Sequence, residues 1–327
     1  MTDWSRRGAL AALATLGTGA LTATAGCLGR EPPGWQRIDL RDDARLTEPA
    51  AASLSGVTTA ADGAYAVGED GTFLVRTPAG WADRSGALPD GVDDLTDVAA
   101  SNNGRTVWLC GDRGTVLRCR VYQTRVMEYS TPGDRTDRWT AVGVDGLAGQ
   151  ERLLVTNGSG EVVTGQFGGG SVDWSTPTEP GGGSSITAGA FSSGGDAYVC
   201  DTNQGVYHES VPGDWHRIGI GAADTDFAAL TPVGGSVTVA GDDGALFRQD
   251  SGSWHRSRVG DATLLAVQRN RFEGLASDAA GRIYANDEDG WRQSGHPVER
   301  RLTALTLGSA RIPAIAVGTA GAVVEWR

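Results

Sequence analysis

The stretch VTVAGDDGALFRQDSGSWHR, residues 237–256, decides the fold of this 327-residue chain. Val237-Thr238-Val239-Ala240 is a short run of strand type, led by β-branched residues. Gly241-Asp242-Asp243-Gly244 follows as a tight-turn signal, and Ala245-Leu246-Phe247 opens a second apolar run. Two strands about a Gly-containing turn make a hairpin. Gly252-Ser253-Trp254-His255-Arg256 adds one more strand, and Ala228-Ala229-Leu230 supplies one in front.

The same unit recurs along the chain. The glycines closing the turn signals are Gly71, Gly114, Gly160, Gly205, Gly244, Gly281 and Gly321, spaced 43, 46, 45, 39, 37 and 40 residues apart. Short apolar runs stand before these turns, as in Tyr65-Ala66-Val67, Val107-Trp108-Leu109-Cys110 and Ala314-Ile315-Ala316-Val317. A leading strand of small and apolar residues precedes each hairpin, as in Thr96-Asp97-Val98 and Thr303-Ala304-Leu305. Small side chains belong where repeats crowd around an axis. The trailing strand often carries Trp and Arg, as in Trp81 to Arg84, Trp215-His216-Arg217 and Trp291-Arg292. Four strands in about forty residues is the blade of a β-propeller.

The ends of the pattern fit together. Val323-Val324-Glu325-Trp326-Arg327 stops inside a third strand, whereas Gly34-Trp35-Gln36-Arg37-Ile38-Asp39-Leu40 reads as a fourth strand without its first three. The N-terminal strand is therefore expected to complete the last blade and remove an open sheet edge. Residues 34–327 number 294, or 42 for each of seven blades. The expected fold is an all-β, seven-bladed propeller of four-stranded blades, with insertions at 121–138 and 165–185 that leave six or eight blades open.

This pattern resembles the BNR/WD40/YVTN-like propellers, and particularly the photosystem II assembly-factor type. That family repeats a Val-Gly-x-x-Gly hairpin and a Gly-Gly-x-x-Trp turn, matched here by Val67-Gly68-Glu69-Asp70-Gly71 with Gly80-Trp81, and by Ala240-Gly241-Asp242-Asp243-Gly244 with Gly252-Ser253-Trp254. The resemblance implies architecture. The Asp-box of sialidase-type propellers is degraded: Gln249-Asp250-Ser251-Gly252-Ser253-Trp254 lacks its Thr.

Residues 1–27 read as an address. Ser5-Arg6-Arg7-Gly8-Ala9-Leu10 resembles the twin-arginine export signal ahead of a weakly apolar run at 9–25. The run is too short and too weakly apolar to cross a membrane as a helix. Thr24-Ala25-Gly26-Cys27 resembles the lipobox of prokaryotic lipoproteins, which makes Cys27 the expected lipidation site, with 28–33 as a tether. The chain is thus expected on the outer face of the cytoplasmic membrane. Stable anchoring needs two acyl or alkyl chains, because one alone binds marginally.

Composition narrows the partners. The formal net charge is −12, and all 28 basic residues are Arg. Acidic, Lys-free chains look like those of salt-loving archaea, where concentrated salt shrinks the Debye length to roughly 3 Å or less and screens self-repulsion; a GC-rich genome gives the same Arg bias. Nucleic acid is excluded as a partner, since phosphate binding needs a basic stripe.

Chemistry-bearing residues are few. With Cys27 lipidated, Cys110, Cys119 and Cys200 remain, expected as buried thiols: Cys110 falls near Thr115 and Cys119 near Thr106 across the hairpin. No Cys/His spacing for a metal occurs, and no cofactor is expected. His208, His216, His255 and His296 form no triad pattern. The Trp-x-Arg arginines belong at the rim. Acidic residues gather between blades: Asp42, Asp43, Asp93, Asp94, Asp134, Asp137, Asp224, Asp226 and Asp261. They are expected on the face that also bears the hairpin turns. Asn157-Gly158-Ser159 is a glycosylation sequon, expected exposed in its turn. Only Asp97 places a carboxylate in an inner strand. The expected role is a non-catalytic binding or scaffold protein with a protein or glycan partner on one face; the alternative is a polysaccharide-active hydrolase or lyase, which needs two carboxylates or an Arg cluster at inner-strand ends.

Overall fold

The computed structural model describes residues 33–40, 52–123, 125–220 and 223–327. These form seven four-stranded antiparallel sheets arranged as the blades of a propeller. Blade 1 spans residues 54–83, blade 2 95–128, blade 3 139–174, blade 4 186–219, blade 5 227–258 and blade 6 264–295. Blade 7 takes three strands from 302–326 and its outer strand, Trp35–Ile38, from the N-terminal end of the domain. That strand pairs antiparallel with Ala322–Trp326, from Trp35 opposite Trp326 to Ile38 opposite Val323. The expected closure is observed. The two indole rings meet edge-on at 5.7 Å.

The core is divided into seven buried clusters, and each one lies between neighbouring blades. Between blades 1 and 2, for example, Tyr65, Val67 and Phe73 pack on Leu95, Val98 and Leu109. Strands buried on both faces need apolar side chains in sequence rather than in alternation. Thr106–Gly111 and Ala197–Asp201 are buried at every position.

Every inner strand carries a bulge at its second residue, seen as a register shift from Leu54 to Gly56, Leu95 to Asp97, Trp139 to Ala141, and likewise in blades 4 to 7. The bulged residue is where the ring is stitched. Thr96 donates its hydroxyl to the Trp139 carbonyl, Thr140 to Ile186, Thr187 to Phe227 and Thr303 to Leu54, at 2.7, 2.9, 2.8 and 2.6 Å. In blade 6 the bulged residue is Leu265, and Ser277 of the adjacent strand donates to the Leu302 carbonyl instead. In blades 2, 3, 4 and 7 one sequence position thus sets both the local twist and the joint to the next blade.

The turn between second and third strands comes in two chemistries. Gly68, Gly111, Gly241 and Gly318 are extended and pass so near the preceding connection that a Cβ would lie 2.1, 2.2, 2.0 and 1.9 Å from a carbonyl oxygen. Blades 3, 4 and 6 carry Asn157, Asp201 and Asp278 at that position, all fully buried. Their side-chain oxygens turn back to accept backbone N–H bonds, from Ser159 and Glu161, from Asn203 and Gly205, and from Ala280 and Arg282. These are Asx turns standing in for glycine turns.

Asn157 is consequently not the exposed sequon side chain expected from the sequence. Its amide nitrogen donates to Glu161 at 2.8 Å within the folded turn. The stretch 165–185 is also no insertion. It contains the outer strand of blade 3, Ser171–Trp174, reached by a glycine-rich turn. The stretch 121–138 does lengthen blade 2, whose outer strand is only Val126–Glu128.

Buried ion pairs lock three of the blade boundaries. Arg118 of blade 2 meets Glu151 of blade 3 at 2.7 Å, both out of solvent, with Thr106 and the Gly149 N–H also donating to Glu151. The Arg118 guanidinium lies 4.1 Å from the centre of the Phe167 ring. Arg152 reaches Glu209 of blade 4 at 2.6 Å. Glu325 of blade 7 receives Arg76 and the Trp81 indole of blade 1, and Arg327 of its own blade.

Candidate binding faces

A propeller offers two faces and a channel. The upper face bears the connections between blades and the turns described above, and it gathers the acidic residues. The expected placement holds for Asp93, Asp94, Asp134, Asp137, Asp224, Asp226 and Asp261; Asp42 and Asp43 lie outside the described residues. Some of these carboxylates are neutralised locally. Asp93 pairs with Arg113, Asp94 and Asp112 share Arg138 at 3.6 and 2.9 Å, and Asp261 pairs with Arg282. The hydrogen bond and charge of Arg282 hold the Asp261 carboxyl below its ordinary range. Asp70, Asp134, Asp137, Asp224, Asp226 and Asp243 are exposed and form no ion pair with the described residues. Asp70, Asp224 and Asp243 stand at left-handed backbone positions, with φ of 54°, 48° and 54°. The turns therefore present these carboxylates at fixed points.

The channel holds Asp97. Its two oxygens accept the N–H groups of Val98 and, across the blade boundary, Val142, at 2.8 and 3.0 Å. Enclosure by protein raises its pKa to about 6, against the pull of those two hydrogen bonds. The inner strand of blade 3 proves longer than expected and ends at Asp145, giving a second inner-strand carboxylate. Asp97 sits near the upper end of Leu95–Ala100 and Asp145 at the lower end of Trp139–Asp145, where Asn102 donates to it at 2.8 Å. The two do not converge.

A carboxyl whose pKa is raised by folding binds its proton more tightly when folded. Its cost to stability is absent below the unfolded pKa of about 4 and fully present above about 6. Relative to Asp97→Asn, the parent chain should gain roughly 2–3 kcal/mol between pH 7 and pH 4. Paired denaturant melts across that range measure the gain, and a flat difference would show that Asp97 does not titrate in the fold.

The remaining candidates take structural roles. Cys110, Cys119 and Cys200 are buried free thiols, and Cys110 and Cys119 sit opposite Val116 and Val107. Burial pushes the Cys119 and Cys200 thiols up to about 11 and 12. His208 stacks on Tyr198 at 4.7 Å, and the His296 Nε2 lies 2.9 Å from the Ala280 carbonyl. The rim arginines behave as expected: Arg256 lies over Phe247, and Arg292 pairs with Asp287. Among the described residues no group of three or more His, Cys, Asp or Glu could hold a metal ion. Cys27 lies outside the described residues.

No family model matches the sequence, and no curated protein matches it either. Solved structures match the fold. The WD40 repeats of RRP9 superpose with a TM-score of 0.71 at 11% identity, covering 90% of this chain and 99% of that one. YCF48 bound to D1 peptide gives 0.69 at 14%, covering 89% and 96%. A catalytically inactive virginiamycin B lyase from Staphylococcus aureus with quinupristin gives 0.71 at 13%, covering 90% and 98%. Identities this low speak for the propeller architecture alone.

Proposed function

We propose that this chain is an exported, lipid-anchored propeller that binds a basic protein partner through its upper face and carries out no reaction. The observation behind this reading is the set of exposed, unpaired carboxylates held at fixed turn positions on that face, with Asp224 and Asp226 on the connection from blade 4 to blade 5 and Asp243 on the adjoining turn of blade 5. Fixed charges lose little entropy on binding and select a partner of opposite sign. That a propeller of this shape has been solved with a bound peptide is in keeping with it. A photo-crosslinking residue at position 226 or 243 is expected to capture a partner on intact cells through basic peptides. Equal capture from position 105, on the opposite face, would sink the assignment.

The anchor rests on Arg6, Arg7 and the residues ahead of Cys27. Among the described residues no helix is long and apolar enough to cross a membrane. Mass spectrometry of the membrane-extracted protein should find lipid on residue 27, and Cys27→Ser should release the chain from membranes. An unmodified Cys27 in membrane-extracted protein would end this part of the reading. The acidic, Lys-free surface belongs with a salt-rich archaeal setting, in which the melting temperature climbs from dilute buffer to molar KCl.

A further inference from the structure

The lower face, made by the turns joining first to second and third to fourth strands, has a different chemistry from the upper one. Its most prominent feature is Phe272, 86% exposed at the tip of the first turn of blade 6. The tip is rigid: Asn270 closes it through its own N–H to the Glu273 carbonyl, and its side-chain oxygen accepts the N–H groups of Phe272 and Glu273, at 2.9, 2.8 and 2.9 Å. Arg271 beside it is exposed. Arg269 at the base is half-buried and has only neutral partners, Thr238 and Asn286 at 3.3 Å, while its buried Nε has none. Burial and the nearby Arg248 charge lower its pKa, so an anion placed there is favoured.

A second tip lies on blade 2. Tyr122 is 72% exposed and held at φ 70° by a turn in which the Gln123 N–H reaches the Arg120 carbonyl. Arg120 and Arg105, brought together by the Val121 N–H to the Arg105 carbonyl, are exposed and form no ion pair with the described residues. Several acidic residues of this face have partners, Asp196 with His208, Asp250 with Arg248 and Asp287 with Arg292. Asp289, exposed at the outer turn of blade 6, also lies 3.7 Å from Arg292.

The chain enters the domain from this same face. Gly34 exchanges two backbone hydrogen bonds with Arg327 at the lower end of blade 7. Six residues, 28–33, separate Cys27 from Gly34, a span of at most roughly 25 Å. An anchor at Cys27 therefore brings the lower face, not the acidic one, to the membrane.

We propose that the lower face seats on an anionic lipid surface, with Phe272 and Tyr122 entering the boundary between headgroups and acyl chains and Arg269, Arg271, Arg105 and Arg120 binding lipid phosphates. Aromatic rings beside arginine are the side chains that partition to that boundary. The direction of the tether rests on the lipid-anchor reading; the chemistry of the two tips does not.

The test uses the full chain with Cys27→Ser, so that no lipid anchor contributes. An environment-sensitive fluorophore is placed on Phe272→Cys, and in parallel on Asp243→Cys of the upper face; the native thiols are buried. With phosphatidylglycerol vesicles the probe at 272 is expected to shift to the blue and the probe at 243 to stay unchanged. Arg269→Gln with Arg271→Gln should weaken vesicle binding about thirtyfold, and phosphatidylcholine vesicles should give a smaller shift. No shift at 272, equal shifts at both positions, or equal response to the two lipids would each overturn the proposal. A failed lipidation of Cys27 in cells would leave these outcomes unaffected, which separates the two readings.

Discussion

Deleting residues 34–40 from the full chain is expected to lower the melting temperature by roughly 10 °C or more, or to leave no folded protein at all. The strand Trp35–Ile38 is a small part of the chain, but it supplies the outer edge of blade 7. Its loss exposes Ala322–Trp326 and withdraws Leu40, which is buried in the cluster joining blades 7 and 1. Ile38 packs on that cluster and Trp35 on the one joining blades 6 and 7, where its indole donates to Ser294 at 3.2 Å. Removing Leu40 from full burial costs about 1.5–3 kcal/mol, and the partly buried Trp35 and Ile38 add to that before the strand ladder is considered. The damage cannot stay local, because blade 7 is what joins the first blade to the sixth. A melting temperature within a few degrees of the parent at equal salt would mean that the ring holds without its closing strand.

The second large effect is expected at Arg118. Arg118→Met leaves Glu151 buried with Thr106 and the Gly149 N–H but without its charge partner. Breaking a buried pair from one side costs about 3–5 kcal/mol, whereas replacing both members by apolar groups is often close to neutral. Arg118→Met combined with Glu151→Leu should therefore recover most of the loss, a result that a simple packing defect at Arg118 would not give. The pH dependence carries a signature of its own. Burial by itself would raise the Glu151 pKa, but hydrogen bonds from Thr106 and Arg118, with the Arg118 charge, hold it below the ordinary range. A depressed carboxylate contributes stability above its unfolded pKa of about 4.3 and loses it as pH falls through the folded value. Acid sensitivity in that range should thus be weaker in Arg118→Met than in the parent. Equal stability of the single and double variants would refute the charge-partner account.

The repeat was legible in the sequence because its punctuation is enforced by contact. Gly68, Gly111, Gly241 and Gly318 leave no room for a Cβ, so the backbone geometry writes itself into the residue type. The blade boundaries and the closure followed from that spacing. The error at Asn157 has the same root. Asn157, Asp201 and Asp278 occupy the glycine position by a second chemistry, and only their alignment with one another marks the Asn157 side chain as folded into its turn rather than exposed on it. That alignment was available in the sequence. The ion pairs were not: Arg76 and Glu325 stand 249 residues apart and Arg118 and Glu151 33 apart, with no local pattern linking either pair. The lower-face tips were equally hidden, since a single Phe or Tyr in a turn acquires meaning only once its exposure is known.

The flush pairing of Gly34 with Arg327 has a mechanical consequence. Because Gly34 and Arg327 lie side by side, a pull that separates them would peel Trp35–Ile38 from Ala322–Trp326 one hydrogen bond at a time, the weak mode for a strand pair. A pull between the N-terminal end and a load held at the upper face acts along the strand instead, straining all of its cross-strand bonds together. A propeller tethered below and gripped above is therefore loaded in its strong direction, and handling it by Gly34 and Arg327 would find the weak one.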